Sequence, residues 1–466
     1  MEKKLFDCAV IGSGPGGYVA AIRAAHHNLK TVLIEDTFPG GTCLNRGCIP
    51  SKALIAGADI LRKVRKAGAL GIKVEGISID YSAMNAHKNR VVSQTRAGLE
   101  GLIKQNRITL LKGRGKLISS TEIAIIGQDE CNLFAKSIIL ATGSEPLALP
   151  GMPFGPRLIS STELLELTVL PESLIIIGGG VIGCEIASLY ATLGVKVTII
   201  EMRERLLAAA SISISTNLEA AFKKENISIF TSTRIVSVKE DVSHITVTLD
   251  DGTELTSELA LSAAGRRFNT EDIGLEDVGV ITTPQKAIPV SATMQTNIPN
   301  IYAVGDITGQ WLLAHTASHQ GLIAADHIAG KPSASQGHAT PVVFFTNPEI
   351  ASVGYTEEEA VAAGFVAKTA TFHFSALGKS RALFDDNNGF VEIVWEIGSE
   401  RILGGQAIGM QASNLIGEIA VAVYNELTLP CIYDTIHPHP TLSEAWVEVC
   451  LIAAGKGVHA LPTPSK

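Results

Sequence analysis

The sequence predicts an α/β chain in which two Rossmann-like units are followed by an α+β domain. "CAVIGSGPGGYVAAIRAAHHNLKTVLIED" near the start and "LIIIGGGVIGCEIASLYATLGVKVTIIEM" near the middle share one layout: apolar strand, glycine turn, helix, second strand, acidic residue. Glu35 stands 23 positions after Gly12, and Glu201 stands 23 after Gly178, so the spacing repeats as well. From Val342 onward the pattern changes, and strand-like runs such as "GFVEIVWEI" alternate with the helical segment "NLIGEIAVAVYNEL".

The first strand, in "LFDCAVIGSG", runs into a G-x-G-x-x-G turn made by Gly12, Gly14 and Gly17. The first glycine permits the tight turn, the second lets the backbone approach a pyrophosphate, and the third lets helix pack on strand. The next helix then faces the diphosphate with unpaired N–H groups and its positive dipole end. Glu35 closes the unit and is placed to accept hydrogen bonds from a ribose diol. "IILATGSEP", around residues 141 to 143, is a further strand ending in a small-residue turn, and the Pro- and Gly-rich "GSEPLALPGMPFGPRLISS" reads as a crossover. Gly178, Gly180 and Gly183 repeat the glycine turn, and Glu201 closes it. A carboxylate there repels a 2′-phosphate and favours NAD over NADP, while Arg203 and Arg205 close by work against that preference.

Two dinucleotide sites in one chain imply electrons passing between cofactors, with a tightly held flavin as the natural intermediate. "IPNIYAVGDIT" adds an apolar strand before Gly305 and Asp306, which form either a site for flavin ribityl hydroxyls or an ordinary Gly-Asp turn. A polar stretch, "AGKPSASQGHATP" at 329–341, precedes the last domain. The expected division is 1–145, 146–270, a central region 271–340 and 341–466.

At 466 residues the length suits roughly three domains. A net charge of −8 without a dense Lys/Arg block excludes the electrostatic footprint of a nucleic-acid or anionic-lipid binder. No apolar run approaches the ~18 residues of a membrane span, and the first strand begins too near Met1 to leave room for a signal peptide. Seven scattered cysteines do not form a secreted disulfide framework, so a reducing cytosol is the expected compartment.

Two of those cysteines, Cys43 and Cys48, stand five apart in "GGTCLNRGCIPSK". They are a redox pair, half of a metal site, or a coincidence; a metal site lacks a second Cys pair or a nearby Cys/His cluster. On an ideal helix, residues five apart have Cα atoms ~8.7 Å apart, beyond the ~7 Å reach of a disulfide. A bridge therefore requires a helix start bent at residues 45 to 47, where Gly47 tolerates distortion, and Pro50 limits regular continuation. Lys52 is a cation placed to stabilise a developing thiolate, or a solvated surface lysine. Near the end, "TIHPHPTLSEAW" contains His437, His439 and Glu444: an imidazole able to move a proton near neutrality and a carboxylate to fix its tautomer, or a structural His-Pro pair.

Together these motifs resemble the flavin-dependent pyridine nucleotide-disulfide oxidoreductases, and within them the branch that oxidises dihydrolipoamide. "GGTCLNRGCIPSK", both glycine turns, "IYAVGD" and "HPHPTLSEA" occur in family order along essentially the whole chain, and "TNPEIASVG" and "GKSRA" resemble dimer-domain segments. The resemblance implies a homodimer with FAD, NAD, central and dimerisation domains. It implies a redox disulfide in which Cys43 exchanges with substrate and Cys48 lies beside the flavin. It puts Thr42 and Lys52 near the flavin, and Lys52 in a pair with Glu185. Gly115, Gly143, Asp306 and Ala314 fall near FAD, and Val236 and Gly265 near NAD. His439 becomes the base and Glu444 its partner, both entering from the other subunit. The implied carrier of the substrate is a lipoyl-bearing polypeptide, the acyltransferase core of a 2-oxoacid dehydrogenase complex or the lipoyl protein of glycine cleavage.

The chain departs from the family pattern at Thr316 and Ser318, where Lys and an acid are common, at Phe268 for Pro, at Asn414 for Glu, and in "LLAAASISIS", which lacks the usual Pro and Asp. Competing readings are an NADP-dependent reductase of glutathione or a similar disulfide, opposed by "LNRGCIPSK" and Glu201, and a noncatalytic flavoprotein, opposed by retention of both cysteines and the His-Glu pair. Mercuric and large thioredoxin reductases fit less well, because "ALPTPSK" carries no cysteine pair.

Overall fold

β1 (Lys4–Ile11) and β2 (Thr31–Glu35) pair in parallel and are joined by α1 (Pro15–His26). Their near-continuous burial and β-branched content suit strands covered on both faces of a parallel sheet. The computed structural model describes residues 4–334, 337, 339–383 and 389–459; "ALPTPSK" and part of "AGKPSASQGHATP" lie outside these. The chain divides into two compact units, one of Met1–Gly57, Ile79–Leu170 and Ser262–Gln336, the other of Ala58–Ser78, Pro171–Leu261 and Gly337–Lys466.

In the first unit the sheet runs Thr109–Lys112, β2, β1, Cys131–Leu140, and Ile301–Ala303 pairs in parallel with the end of Cys131–Leu140. Ile11, Leu140 and Ala303 are in register, so three parallel strands end side by side. The chain leaves them through Gly12, Ala141 and Val304. Cofactor sites in open α/β sheets lie at this carboxyl edge. The antiparallel strands Glu122–Ile126 and Arg114–Leu117 extend the sheet beyond the other end of Cys131–Leu140. Helix Ala314–Ile328 packs on α1 through two glycines: a Cβ on Gly321 would stand 2.4 Å from Gly16 O. Asp326 ties the same helices, accepting from Arg23 Nε at 2.5 Å and lying 2.6 Å from His27 Nε2.

The second unit holds the parallel strands Ser228–Phe230, Lys196–Ile200 and Ser173–Ile177, with helix Val181–Thr192 following the last of these. Three antiparallel strands, Ile235–Glu240, Ile245–Leu249 and Glu254–Ser257, form a separate sheet. Beyond residue 341 a five-stranded antiparallel sheet runs Val342–Phe344, Ile350–Gly354, Ile402–Ile408, Phe390–Glu396, Ala367–His373. Helices Ala412–Tyr424 and Glu444–Ala453 cover it. Trp446 is wholly buried beneath them, and its indole N–H donates to Leu415 O at 3.1 Å, so the ring brings no unpaired donor into the core. No helix among the described residues is long and apolar enough to cross a membrane.

Candidate active site

α2 (Gly41–Arg46) and α3 (Cys48–Lys66) are what remains of one helix broken at Gly47, which stands at φ −142°, ψ −102°. The break falls inside the segment where a bridge between residues 43 and 48 demands one. Cys43 and Cys48 are both half-buried free thiols, near enough for Cys48 to act on Cys43. Cys48 and burial push the Cys43 thiol up; Lys52, one turn beyond Cys48 on α3, pulls it down, and Asp306 pushes it further up.

The pair sits against the first glycine turn because three glycines permit it. Gly40 donates its N–H to Ser13 O at 2.9 Å. Gly41, at φ 57°, approaches so closely that a Cβ on it would stand 2.6 Å from Gly14 Cα. Asn45 staples the short helix. Its amide donates to Gly41 O at 2.9 Å and Pro39 O at 3.1 Å, and its Oδ1 accepts from Arg96 Nε at 3.0 Å. Thr42 occupies the same turn, with its carbonyl 3.2 Å from where a Gly47 Cβ would be.

The turns themselves fit dinucleotides. A Cβ on Gly17 would lie 1.9 Å from Gly12 O, and one on Gly183 2.0 Å from Gly178 O; only glycine lets each helix come so near its strand. Gly14 and Gly180 are the N-caps of α1 and of Val181–Thr192, and neither helix start has a side-chain cap. A Cβ on Gly180 meets nothing within 4 Å. Two helix starts with first-turn N–H groups left to a ligand suit two pyrophosphates. Glu35 Oε2 accepts from Ser13 N and Oγ at 2.9 and 2.6 Å, and Oε1 from Thr37 N and Oγ at 3.0 Å each. Burial pushes its carboxyl up, but these donors prevail and hold it below the ordinary range. Glu201 repeats the arrangement, accepting from Gly179 N at 2.6 Å and Arg203 N at 2.8 Å.

The residues expected around FAD gather at one sheet edge. Gly143 follows Leu140, and Asp306 lies in the 3-10 turn Gly305–Thr308 after Ala303. Asp306 Oδ2 accepts from Ser144 Oγ at 2.5 Å and lies 3.8 Å from Arg266 Nε. Gly115 packs on the end of β1, where a Cβ would stand 3.1 Å from Ile11 Cγ2, and Ala314 opens helix Ala314–Ile328. Residues expected around NAD fall on several elements. Gly178, Gly180, Gly183, Glu185 and Glu201 belong to one strand-helix-strand motif; Val236 is exposed on the separate three-stranded sheet, and Gly265 belongs to the first unit, where its carbonyl accepts from Leu147 N at 3.1 Å. Glu185 Oε1 accepts the Phe345 N–H at 2.9 Å.

In the second unit the structure separates the two histidines. His437 is 8% exposed, with Nδ1 2.8 Å from Thr435 O and Nε2 2.8 Å from Glu418 Oε1, so both ring nitrogens are committed. His439 is 77% exposed; its Nδ1 lies 2.8 Å from Glu444 Oε1, which leaves Nε2 outward. Glu444 Oε2 accepts the Thr441 N–H at 2.7 Å. Burial pushes the Glu444 carboxyl up, yet Thr441 and His439 together hold it below its ordinary range.

Sequence motifs miss the residues that act on these from a distance. Arg266 donates to Ser144 Oγ and O, both at 2.7 Å, and Gln320 Oε1 accepts the Gly305 N–H at 2.7 Å. Arg96, Arg266 and Gln320 belong to no recognisable spacing, and Asn45 and Ser144 lie inside motifs that do not report these bonds. Among the departures, Ser318 Oγ donates to Pro15 O at 3.4 Å, and Thr316 Oγ1 is buried with no hydrogen-bond partner among the described residues. No group of three or more His, Cys, Asp or Glu among the described residues is arranged to hold a metal.

The chain is similar to known proteins along nearly its whole length. Residues 6–321 match the pyridine nucleotide-disulphide oxidoreductase family, and residues 340–450 match its dimerisation domain. A dihydrolipoyl dehydrogenase of Chlamydia pneumoniae is 53% identical over 98% of this chain and 99% of its own. One of Geobacillus stearothermophilus is 38% identical over 98% and 97%. The crystal structure of LpdA from Mycobacterium tuberculosis superposes with a TM-score of 0.90 at 29% identity, covering 97% of this chain and 99% of that one. With two glycine turns, a thiol pair in a broken helix and a match running through both domain types, the chain belongs to the pyridine nucleotide-disulphide oxidoreductase family.

Proposed function

We propose that the chain oxidises a dihydrolipoyl group carried by another polypeptide and delivers the electrons to NAD⁺, by dithiol–disulfide exchange at Cys43 and Cys48. The observation that carries this reading is the helix broken at Gly47, which sets two neighbouring thiols against the Gly12–Gly17 turn. The relatives named dihydrolipoyl dehydrogenase supply the substrate class. FAD is held by Gly12, Gly14, Gly17, Glu35, Thr42, Lys52, Gly115, Gly143, Asp306 and Ala314, and NAD by Gly178, Gly180, Gly183, Glu185, Glu201, Val236 and Gly265. When bound, the flavin and nicotinamide together accept the electron pair that returns the two thiols to the disulfide.

The chain's own residues perform the exchange. His439 Nε2 takes the proton of the first substrate thiol, and Glu444 fixes the tautomer that leaves this nitrogen free to accept. The substrate thiolate attacks Cys43 Sγ; the Cys43–Cys48 bond breaks and Cys48 leaves as thiolate, with the Lys52 ammonium nearby. The second substrate thiol then attacks the mixed disulfide, closing the cyclic disulfide product, and Cys43 leaves and takes up the proton that this second thiol gives up. A Cys43 thiol held up by its surroundings suits that last role. Lys52 pairs with Glu185, and the His439–Glu444 pair acts on the thiols of a second copy, for which the matched dimerisation domain is the support. The working division is an FAD domain over 1–145, an NAD domain over 146–270, a central region over 271–340 and a dimerisation domain over 341–466. The substrate-bearing partner is the acyltransferase core of a 2-oxoacid dehydrogenase complex or the lipoyl protein of glycine cleavage, and the compartment is the cytoplasm.

Anaerobic addition of one equivalent of dihydrolipoamide to the oxidised holoprotein, followed by removal of the small molecule by gel filtration and thiol titration of the protein, tests the reading. Two new thiols per chain are expected, and NADH is expected to produce the same two. A Cys43→Ser protein with full dihydrolipoamide turnover, or a strong preference for NADPH with oxidised glutathione, overturns it.

A further inference from the structure

The segment "LLAAASISIS", one of the chain's departures from the family pattern, finds its partners on the antiparallel sheet of the same unit. Thr371, Glu392 and Gln406 stand opposite one another on three adjacent strands. Their neighbours Ala370, Val391, Ile393 and Ala407 belong to the core beneath helices Ala412–Tyr424 and Glu444–Ala453, so the polar row lies on the other face. Glu392 and Gln406 are buried all the same. Helix Ile212–Lys224 meets them with its first turn. Ser211, its N-cap, accepts the Ile214 N–H at 3.4 Å and donates to Gln406 Oε1 at 2.9 Å. Ser213 donates to Glu392 Oε2 at 3.0 Å and accepts from Gln406 Nε2 at 3.4 Å. Gln406 Nε2 also donates to Glu392 Oε2, and Thr371 Oγ1 donates to Oε1 at 3.2 Å, so the buried carboxylate has a donor on each oxygen. Further along, the same helix reaches the second glycine turn. Glu219 Oε1 accepts the Leu206 N–H at 3.1 Å, and Ser215 Oγ donates to Leu207 O at 3.5 Å. Leu207 in turn donates its N–H to Gly179 O at 2.9 Å, and the fully buried Leu206 has its Cδ2 2.5 Å from where a Gly179 Cβ would stand.

We propose that Ser211–Gln406 and Ser213–Glu392 are positioning pairs for the nucleotide step: they fix the start of helix Ile212–Lys224, which braces Leu206 and Leu207 against Gly179 and so sets the second glycine turn for its pyrophosphate. The inference rests on the assignment of NAD to that turn. An apolar row would also pack a helix on this face, but it would admit the helix in several rotations. A buried carboxylate is costly unless its donors are in place, so a donor carried by the helix restricts the helix to one seat. The positive end of the helix dipole faces the same carboxylate and favours that seat. Gly179 follows the helix because both backbone groups of the Leu206–Leu207 step that face it are held from Glu219 and Ser215.

Calorimetric titration of the holoprotein with NAD⁺, with kcat and the KM for NAD⁺ measured beside it, separates this role from plain stability. Ser213→Ala and Thr371→Val each remove one donor from Glu392, but only Ser213 lies on the helix. Ser213→Ala is expected to weaken NAD⁺ about threefold, and Ser211→Ala with Ser213→Ala about tenfold, the scale of one and of two lost hydrogen bonds. The KM for NAD⁺ is expected to rise by the same factors, while flavin reduction by dihydrolipoamide keeps its wild-type rate. Amide exchange at Leu207 is expected to quicken in both proteins. Thr371→Val is expected to leave NAD⁺ binding and Leu207 exchange as in wild type, and Ser213→Thr, which keeps the hydroxyl, to bind NAD⁺ as wild type does. NAD⁺ binding unchanged in both alanine proteins, or weakened as much by Thr371→Val, overturns the proposal. A wild-type protein that binds no NAD⁺ overturns the NAD assignment itself and the proposal with it.

Discussion

Replacing Gly41 with alanine tests whether the thiol pair depends on its contact with the glycine turn. Gly41 stands at φ 57°, and a Cβ there would lie 2.6 Å from Gly14 Cα and 3.1 Å from Gly14 N. Ordinary Cβ contacts begin near 3.4 Å, so in packing without slack the segment must withdraw by about 0.8 Å. The left-handed backbone costs alanine about 1–2 kcal/mol, and overpacking of this kind adds about 1–3 kcal/mol. Their sum lowers a melting midpoint by on the order of 10 °C in a unit of this size. Gly151→Ala separates the two effects: Gly151 has φ 74° and open space around its would-be Cβ, so only the backbone cost remains. Withdrawal also moves Cys43, and a displacement near 1 Å costs about 100-fold in rate where reacting atoms must align. The expected result is a Gly41→Ala protein that melts well below Gly151→Ala, retains flavin poorly and exchanges with dihydrolipoamide about two orders of magnitude more slowly. Equal melting and equal exchange in the two variants would refute the reasoning.

Asn45→Ala removes the amide that joins Gly41 O and Pro39 O and the acceptor for Arg96; differential scanning calorimetry should show a loss of about 1–3 kcal/mol. His439→Gln should slow dihydrolipoamide oxidation by about 10²–10⁴, and it should also slow iodoacetamide labelling of Cys43 in the reduced dimer, whose thiol is held up by Cys48 and burial and needs a base to ionise. Glu444 gives a pH test. Its carboxyl is depressed, so its contribution is complete above the unfolded value of about 4.3 and is lost as pH falls through the lower folded value. The side-chain carboxyl carbon resonance of Glu444 should therefore keep its ionised shift from neutrality down to pH near 4.3, and a midpoint between pH 5 and 6 would contradict the assignment.

What was legible in the sequence was what the chain builds locally. Gly12, Gly14 and Gly17 encode a turn within six residues, and the same count recurs at Gly178, Gly180 and Gly183; strand, turn and helix are neighbours in sequence, so spacing alone reports their geometry. The break at Gly47 follows from the reach of a disulfide against the rise of a helix. Spacing alone leaves His437 and His439 equivalent, and only the resemblance chose His439; the burial of His437 rests on Glu418, nineteen residues back, capturing its imidazole. Residues 58–78 group with the second unit, although they continue a helix whose first residue is Cys48, because compactness depends on partners such as Ser188, whose carbonyl and Oγ accept from Arg62 at 3.1 and 3.0 Å.

The charge around the thiols is the least local property of all. Lys52 is four residues from Cys48, but Asp306 arrives from a strand end more than 250 residues later, and Arg266 from another segment again. Lys52 and Asp306 act on Cys43 with opposite signs. Ser144 joins Arg266 to Asp306 by accepting from one and donating to the other, so the arginine partly cancels the carboxylate before its field reaches the sulfur. The local motif therefore supplies the two sulfurs and one cation. The balance that decides where the proton rests is set by three parallel strands ending in register at Ile11, Leu140 and Ala303, which bring Gly12, Ser144 and Asp306 to one edge.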